Sequence, residues 1–294
     1  MLNWHTPRLS DAALVKDCVS KSGYNGSDAA FANIFLLRNK YDIKIAFANG
    51  CLLRHLNGSG TRCGYTFPLG KTEDVYGALD ILLRENPGAK LCLADDAQKE
   101  TLSSLLNGTW ETDPGDCDYL FDTFSLANYP GSKYVKKRNA VSKFLRTYQT
   151  VKTEALERNN AGDALYIARG WMAEEHPSAS IKELEAIEEA LEKLNELDLH
   201  GCICYANGAP AAMAIYSHIN SDYADIHFEK CLREPAQNGG YAFITRETAR
   251  RITAGHINFE EDINLQGLRQ AKRLYRPEKL LVKHHLVRLS EECK

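Results

Sequence analysis

Two periods of apolar spacing alternate along this chain, and the order in which they alternate occurs twice. Residues 10–21 place Leu14, Val15 and Cys18 at helical spacing. A second helix is expected after GYNGSD, capped by Ser27, with Phe31, Ile34, Phe35 and Leu37 on its apolar face. The period then shortens. IKIAFA, the turn Asn49-Gly50 and CLLRHL read as a hairpin, because Asn-Gly suits the tight turn that joins two twisted strands. NGSGT turns the chain again into RCGYTFPLG, which completes a three-stranded meander. A helix over 72–85, the strand KLCLA, a helix over 96–106 and the strand DYLFDTFSLA follow.

The second half repeats that order. A helix is expected over 161–175, and another from Ser180, where Ser180 and Glu183 form a capping box. Its apolar stripe runs Ile181, Leu184, Ile187, Leu191, Leu194, Leu197. GCICYAN, the turn Asn207-Gly208, APAAMAIYSHI and YADIHFEKCL make a second meander. The loop EPAQNGG, the helix YAFITRETARRITAG, the strand HINFEED, the helix LQGLRQAKRLY and the strand KLLVKHHLV close the chain. Strands that first form a meander and then alternate with helices predict an α/β fold with mixed sheets, not a doubly wound parallel sheet. The halves match in the order of elements rather than in letters. They predict one domain over 1–130, a connecting helix and linker over 131–160, and a second domain over 161–294.

The 294 residues suffice for two cores of ordinary size, and 44% hydrophobic with 26% charged is average for a globular chain. The net charge of −3 excludes a chain that is basic throughout. No run approaches the ~18 apolar residues of a membrane span, and the N-terminus lacks the apolar core of a signal peptide. A cytoplasmic protein is expected. Nine cysteines, most inside apolar stretches, fit reduced thiols. Cys202 and Cys204 form C-x-C within an expected strand, whereas a zinc site favours paired C-x-x-C. No metal is expected.

Charge becomes informative locally. From Thr123 to Thr153 there is no acid, and the stretch holds Lys133, Lys136, Lys137, Arg138, Lys143, Arg146 and Lys152. KYVKKRNAVSKFLRTY reads as a basic amphipathic helix with Tyr134, Val141, Phe144, Leu145 and Tyr148 inward. Its open alternatives are a solvated face and a phosphate-binding face. After the second meander, Gln237-Asn238-Gly239-Gly240-Tyr241-Ala242 fits Q-x-x-G-x-A. It resembles the pyrophosphate loop of the N-acetyltransferase (GNAT) superfamily. Glycines let backbone N–H groups approach an anion, and a helix start favours one. The alternative is a plain helix start.

Three segments carry a wider resemblance: SDAAFANIFLLRNKYDIKIA, DYLFD followed by KYVKKRN, and HINFEEDINLQGLRQAKRLYRP. Together they resemble the phosphatidylglycerol lysyltransferase C-terminal-like family, over nearly the whole chain. The resemblance implies two tandem GNAT-like acyltransferase domains, related to Fem-type transferases that move an amino acid from aminoacyl-tRNA. It also points to Lys136, Lys137, Arg138 and Asn139 in the basic helix, to Glu261, Asp262, Asn264, Arg269 and Lys272, and to Tyr275 and Pro277.

These readings predict an acyl- or aminoacyl-transferase. Glu261, Asp262 and Lys272 are its expected catalytic groups. Lys136, Lys137, Arg138, Asn139, Gln237, Gly239, Gly240, Asn264 and Arg269 are its expected substrate-binding groups. The donor is aminoacyl-tRNA, guided by the basic helix, or acyl-CoA at the Gln237 loop. The acceptor is a small molecule, peptide or lipid headgroup offering an amine or hydroxyl. His227 and Glu229 on the third strand of the second meander are further candidates for a general base, against a core role. The Gln237–Ala242 loop and the Asp262–Lys272 segment are expected to line one cleft, with a structural Asp262–Arg269 pair as the alternative. A non-catalytic binding protein that keeps the fold is the competing function.

Overall fold

The computed structural model describes residues 1–175 and 181–289. Helix α1 (Ala12–Ser22) buries Val15, Cys18 and Val19 and stops at Gly23, whose φ of 67° ends the helix without the penalty a Cβ would incur. The six residues of α2 (Phe31–Leu36) are all buried. Strands β1 (Lys44–Ala48) and β2 (Cys51–Asn57) pair antiparallel from Ala48↔Cys51. The turn between them is the expected one, with Asn49 and Gly50 both at positive φ. β3 (Cys63–Tyr65) completes the meander. Then come α3 (Thr72–Glu85), burying Val75, Ala78, Leu79 and Leu82, β4 (Leu91–Ala94), and α4 (Asp96–Leu105) behind an Asp95–Gln98 capping box.

Next are β5 (Gly108–Thr112) and β6 (Asp118–Asp122). TFSLA does not prolong β6 as expected. Asp122 accepts the Ser125 N–H at 2.7 Å and caps a short helix, α5 (Thr123–Asn128). The basic segment is α6 (Val135–Thr147), followed by β7 (Val151–Ala155), α7 (Ala161–Glu175) and α8 (Ile181–Glu192). Ser180 of the expected capping box lies outside the described residues. The second meander is β8 (His200–Ala206), β9 (Ala209–His218) and β10 (Tyr223–Cys231), again with an Asn-Gly turn at positive φ. The chain ends with α9 (Arg233–Gln237), α10 (Gly240–Ala249), β11 (His256–Asn258), α11 (Gln266–Arg273), β12 (Lys279–Leu281) and β13 (His284–Leu289).

Among the described residues two mixed sheets result, ordered β1-β2-β3-β4-β13-β5 and β12-β6-β11-β10-β9-β8-β7. Each has an antiparallel meander whose third strand runs parallel to the next one, β3 with β4 and β10 with β11. This is the expected mixed α/β plan, in duplicate. The strands do not follow the halves of the chain, however. β13, from the C-terminus, pairs with β4 and β5, while β6, from the first half, pairs with β11. The compact units are therefore interleaved: one is Met1–Tyr119, Glu260–Gln270 and Lys279–Lys294, the other Leu120–Phe259 and Ala271–Glu278. The expected boundaries at 130 and 161 give way to this exchange because strand pairing, which hydropathy does not encode, assigns each strand to its sheet.

The first unit's core is built by Leu53, Leu79, Leu82, Leu91, Leu102 and Leu286. In the second unit α10 packs under β8–β10, and Phe144 of α6 stacks on Phe243 of α10 at 4.8 Å.

Candidate functional site

The second sheet opens along β10. β11 pairs with β10 only at Tyr223–Asp225, whereas β10 continues to Cys231 against β9, with a register shift between Ile226 and Phe228. Among the described residues, the edge of β10 that pairs with β11 has no strand partner beyond Asp225, and Glu229 lies on that stretch. Thr245 of α10 sets its Oγ1 3.0 Å from both carboxylate oxygens of Glu229. The same hydroxyl lies 3.0 Å from the Tyr275 hydroxyl and 2.7 Å from the Tyr241 carbonyl. Tyr275, just after α11, is buried against Phe259 and Phe121. Lys137 reaches in from α6, with Nζ 3.0 Å from the centre of the Tyr275 ring. Lys272 of α11 donates to the Phe259 carbonyl.

Burial dominates the electrostatics here. It raises the Glu229 carboxyl to about 7, against the hydrogen bond from Thr245 and the charges of Lys137, Lys230 and Lys272. It lowers the Lys137 ammonium to about 8, against the pull of Glu229. A carboxyl and an amine whose proton affinities converge near neutrality, one on a sheet and one on a helix, can together take and return a proton.

Of the expected site residues, Lys137 and Lys272 belong to this cluster. Lys136 and Asn139 are exposed on α6, and Arg138 donates to the Tyr129 and Gly131 carbonyls at 2.6 Å each, closing the turn after α5. Lys136, Lys143 and Arg146 thus form the outward basic face, with Lys143 also donating to the Gln237 carbonyl at 2.8 Å. At the glycine loop Gln237 is exposed. A Cβ on Gly239 (φ 100°) would strike the Ala140 carbonyl, and one on Gly240 would strike Cys231 Sγ and the Pro235 carbonyl. Close packing of α10 against α6 and β10 accounts for both glycines without a ligand.

Glu261, Asp262, Asn264 and Arg269 fall in the first unit, and Lys272 in the second. Asp262 is fully buried and takes Arg269 in two bonds of 2.7 Å each, the Tyr119 hydroxyl at 2.6 Å and the Asn264 N–H at 3.0 Å. Those donors hold its carboxyl below the usual range against the effect of burial. Asn264 bridges Arg269 and Asp113, and Glu261 pairs with Arg62 at 2.7 Å. Another buried network in this unit joins Lys283 Nζ to Asp118 at 2.8 Å and Asp28 at 2.9 Å, with Arg54 on Asp28 at 2.7 Å. Beside it is a cavity of about 30 Å³ lined by Asp28, Asn33, Tyr41, Arg54, Arg62 and Glu261.

Sequence reasoning missed Thr245, which has no signal beyond being a hydroxyl inside an apolar helix, and the charged network around Lys283. Cys202 and Cys204 are buried free thiols of β8, raised to about 12 by burial. No helix among the described residues is long and apolar enough to cross a membrane.

None of the curated proteins matches the chain. Among solved structures, a conserved protein of unknown function from Bacteroides thetaiotaomicron is 26% identical, with TM-score 0.89 over 97% of this chain and 99% of that one. The C-terminal domain of a lysylphosphatidylglycerol synthetase from Agrobacterium fabrum, described as putative, is 13% identical, with TM-score 0.67 over 96% and 93%. L-PGS from Bacillus licheniformis is 10% identical, with TM-score 0.65 over 94% and 91%. These last two show a shared fold. Residues 21–284 match the family described as phosphatidylglycerol lysyltransferase, C-terminal, and the chain belongs to that family.

Proposed function

We propose that the chain is an aminoacyltransferase whose chemistry is centred on Glu229, with aminoacyl-tRNA as donor and an amine or hydroxyl acceptor. The observation that carries this reading is the half-buried Glu229 carboxyl, raised to about 7 by desolvation, on β10 beyond the end of its pairing with β11 and within the field of Lys137. The acceptor's nitrogen or oxygen attacks the ester carbonyl carbon, and ionised Glu229 takes the proton it sheds. The ammonium of Lys137 or Lys272 stabilises the developing oxyanion. When the carbonyl re-forms, the ester C–O bond breaks and the departing ribose oxygen takes a proton from that ammonium. The exposed basic face of α6 supports a polyanionic donor. Acyl-CoA is the alternative donor, though the Gln237 loop glycines are already explained by packing.

The test is donor deacylation. Purified protein is incubated with aminoacyl-tRNA or acetyl-CoA and a panel of amines, alcohols and lipid headgroups, and product is followed by mass spectrometry. Acceptor-dependent aminoacyl transfer that falls at least 100-fold in Glu229→Gln is expected. Transfer from acetyl-CoA alone would move the donor to the acyl-CoA class. Donor binding without transfer to any acceptor would favour a binding protein.

A further inference from the structure

Two partners in the Glu229 cluster are left short of what their chemistry asks. A carboxylate accepts about four hydrogen bonds. Among the described residues, the hydrogen-bond donor to Glu229 is the single Thr245 hydroxyl, which has one proton and is shared with the Tyr241 carbonyl and the Tyr275 hydroxyl. Lys137 carries three N–H donors, yet its ammonium rests on the face of Tyr275, a contact that attracts positive charge without accepting a full set of hydrogen bonds. The Lys137 stem comes from a surface helix and has four rotatable bonds, so its head can leave while α6 stays in place.

We infer that Glu229, Thr245 and the face of Tyr275 form a recognition site for a primary ammonium group, and that Lys137 occupies it in the resting protein as a tethered stand-in. A ligand ammonium would meet what Lys137 meets, the π-face, and would also give Glu229 the donors it lacks. Two sources share this chemistry: the α-ammonium of a donor's aminoacyl group and the amine of an acceptor. The inference rests on reading this cluster as the transfer site, but it concerns binding and does not require Glu229 to act as a base.

The test measures binding without turnover. Lys137→Met keeps an apolar stem over Tyr275 and removes the charge. Melting of the whole chain is followed against ethylammonium chloride, with sodium chloride as the ionic-strength control. A saturable rise in Tm is expected for Lys137→Met, with an apparent affinity at least tenfold above that of the wild type. It should vanish in Lys137→Met/Glu229→Gln. Glycine methyl ester and its N-acetyl derivative then assign the source. Tighter binding of the free-amine ester than of ethylammonium places the donor's aminoacyl group here, and equal binding places the acceptor amine. Should Lys137→Met fold poorly, wild type titrated at pH 9, where the Lys137 head is largely neutral, serves as the second measurement, and the saturable rise is expected there too. No saturable effect in the folded variant or in that titration overturns the proposal. So does one that persists without the Glu229 carboxylate.

Discussion

Three carboxylates illustrate how neighbours decide what a residue does. Asp262 is bound by Arg269, Tyr119 and the Asn264 N–H, which leaves it no capacity for a substrate. Asp262→Asn should lower stability by ~1–3 kcal/mol, or ~2–8 °C in Tm, while sparing any ligand binding in the second unit. Its folded carboxyl lies below the unfolded value, so its stabilisation is present above about pH 4 and lost as pH falls through the folded value. The acid limb of the melting curve should therefore flatten in the variant. Glu229 has the opposite sign. Its folded carboxyl is raised to about 7, so stability is fullest below the unfolded value and is lost as pH rises through about 7. Glu229→Gln should thus melt above wild type at pH 8, by ~1–3 kcal/mol, while losing transfer. A variant that loses activity and also melts early at pH 8 would make Glu229 part of the scaffold. With Lys137 near 8, transfer should follow a narrow bell, rising through about pH 7 and falling through about 8. The two limbs belong to the pair jointly. Glu261, paired with Arg62, is the third case, an ion pair in the first unit.

At the scale of elements, α6 divides its charges between two tasks. Lys137 faces the Glu229 cluster and Arg138 closes the turn after α5, while Lys136, Lys143 and Arg146 face outward. Replacing those last three by alanine should weaken tRNA binding and reduce the slope of log affinity against log salt by ~2–3, as the loss of three phosphate contacts requires. Tm should hardly move. A slope unchanged by the triple substitution would remove this face as the contact. The helix was legible from its lack of acids and its apolar spacing. Lys137, three residues after Tyr134 and four before Val141, shares the expected inward face of Tyr134, Val141, Phe144, Leu145 and Tyr148, so what the helix alone did not tell is which distant groups it meets there, and Leu145 is in fact exposed.

For the whole molecule, the exchange of β6 and β13 means that neither half of the chain carries a complete sheet. Residues 1–130 lack β13, the strand between β4 and β5, and residues 131–294 lack β6, the strand between β11 and β12. Each half expressed alone should be aggregated or molten, with poor amide dispersion in NMR spectra. Co-expression should recover a cooperative melt. Independent folding of either half would show that the exchanged strand is dispensable to its sheet.

What the sequence by itself determined was local. Both Asn-Gly hairpins, the helix at 72–85 and the duplicated order of meander, helix and strand are written in turn chemistry and apolar period, which act over a few residues. The family relationship was legible too, since three segments in order carry it. Tertiary structure decided which sheet each strand joins and where the candidate chemistry gathers. Glu229, Thr245, Lys137 and Tyr275 are far apart in the chain, and each has an ordinary explanation where it stands: an inward strand position, a helix hydroxyl, one lysine of a basic run, one aromatic. Only burial in a common place shifts the carboxyl up and the amine down. Desolvation is a property of the assembled surroundings, and no residue's immediate neighbours in sequence encode it.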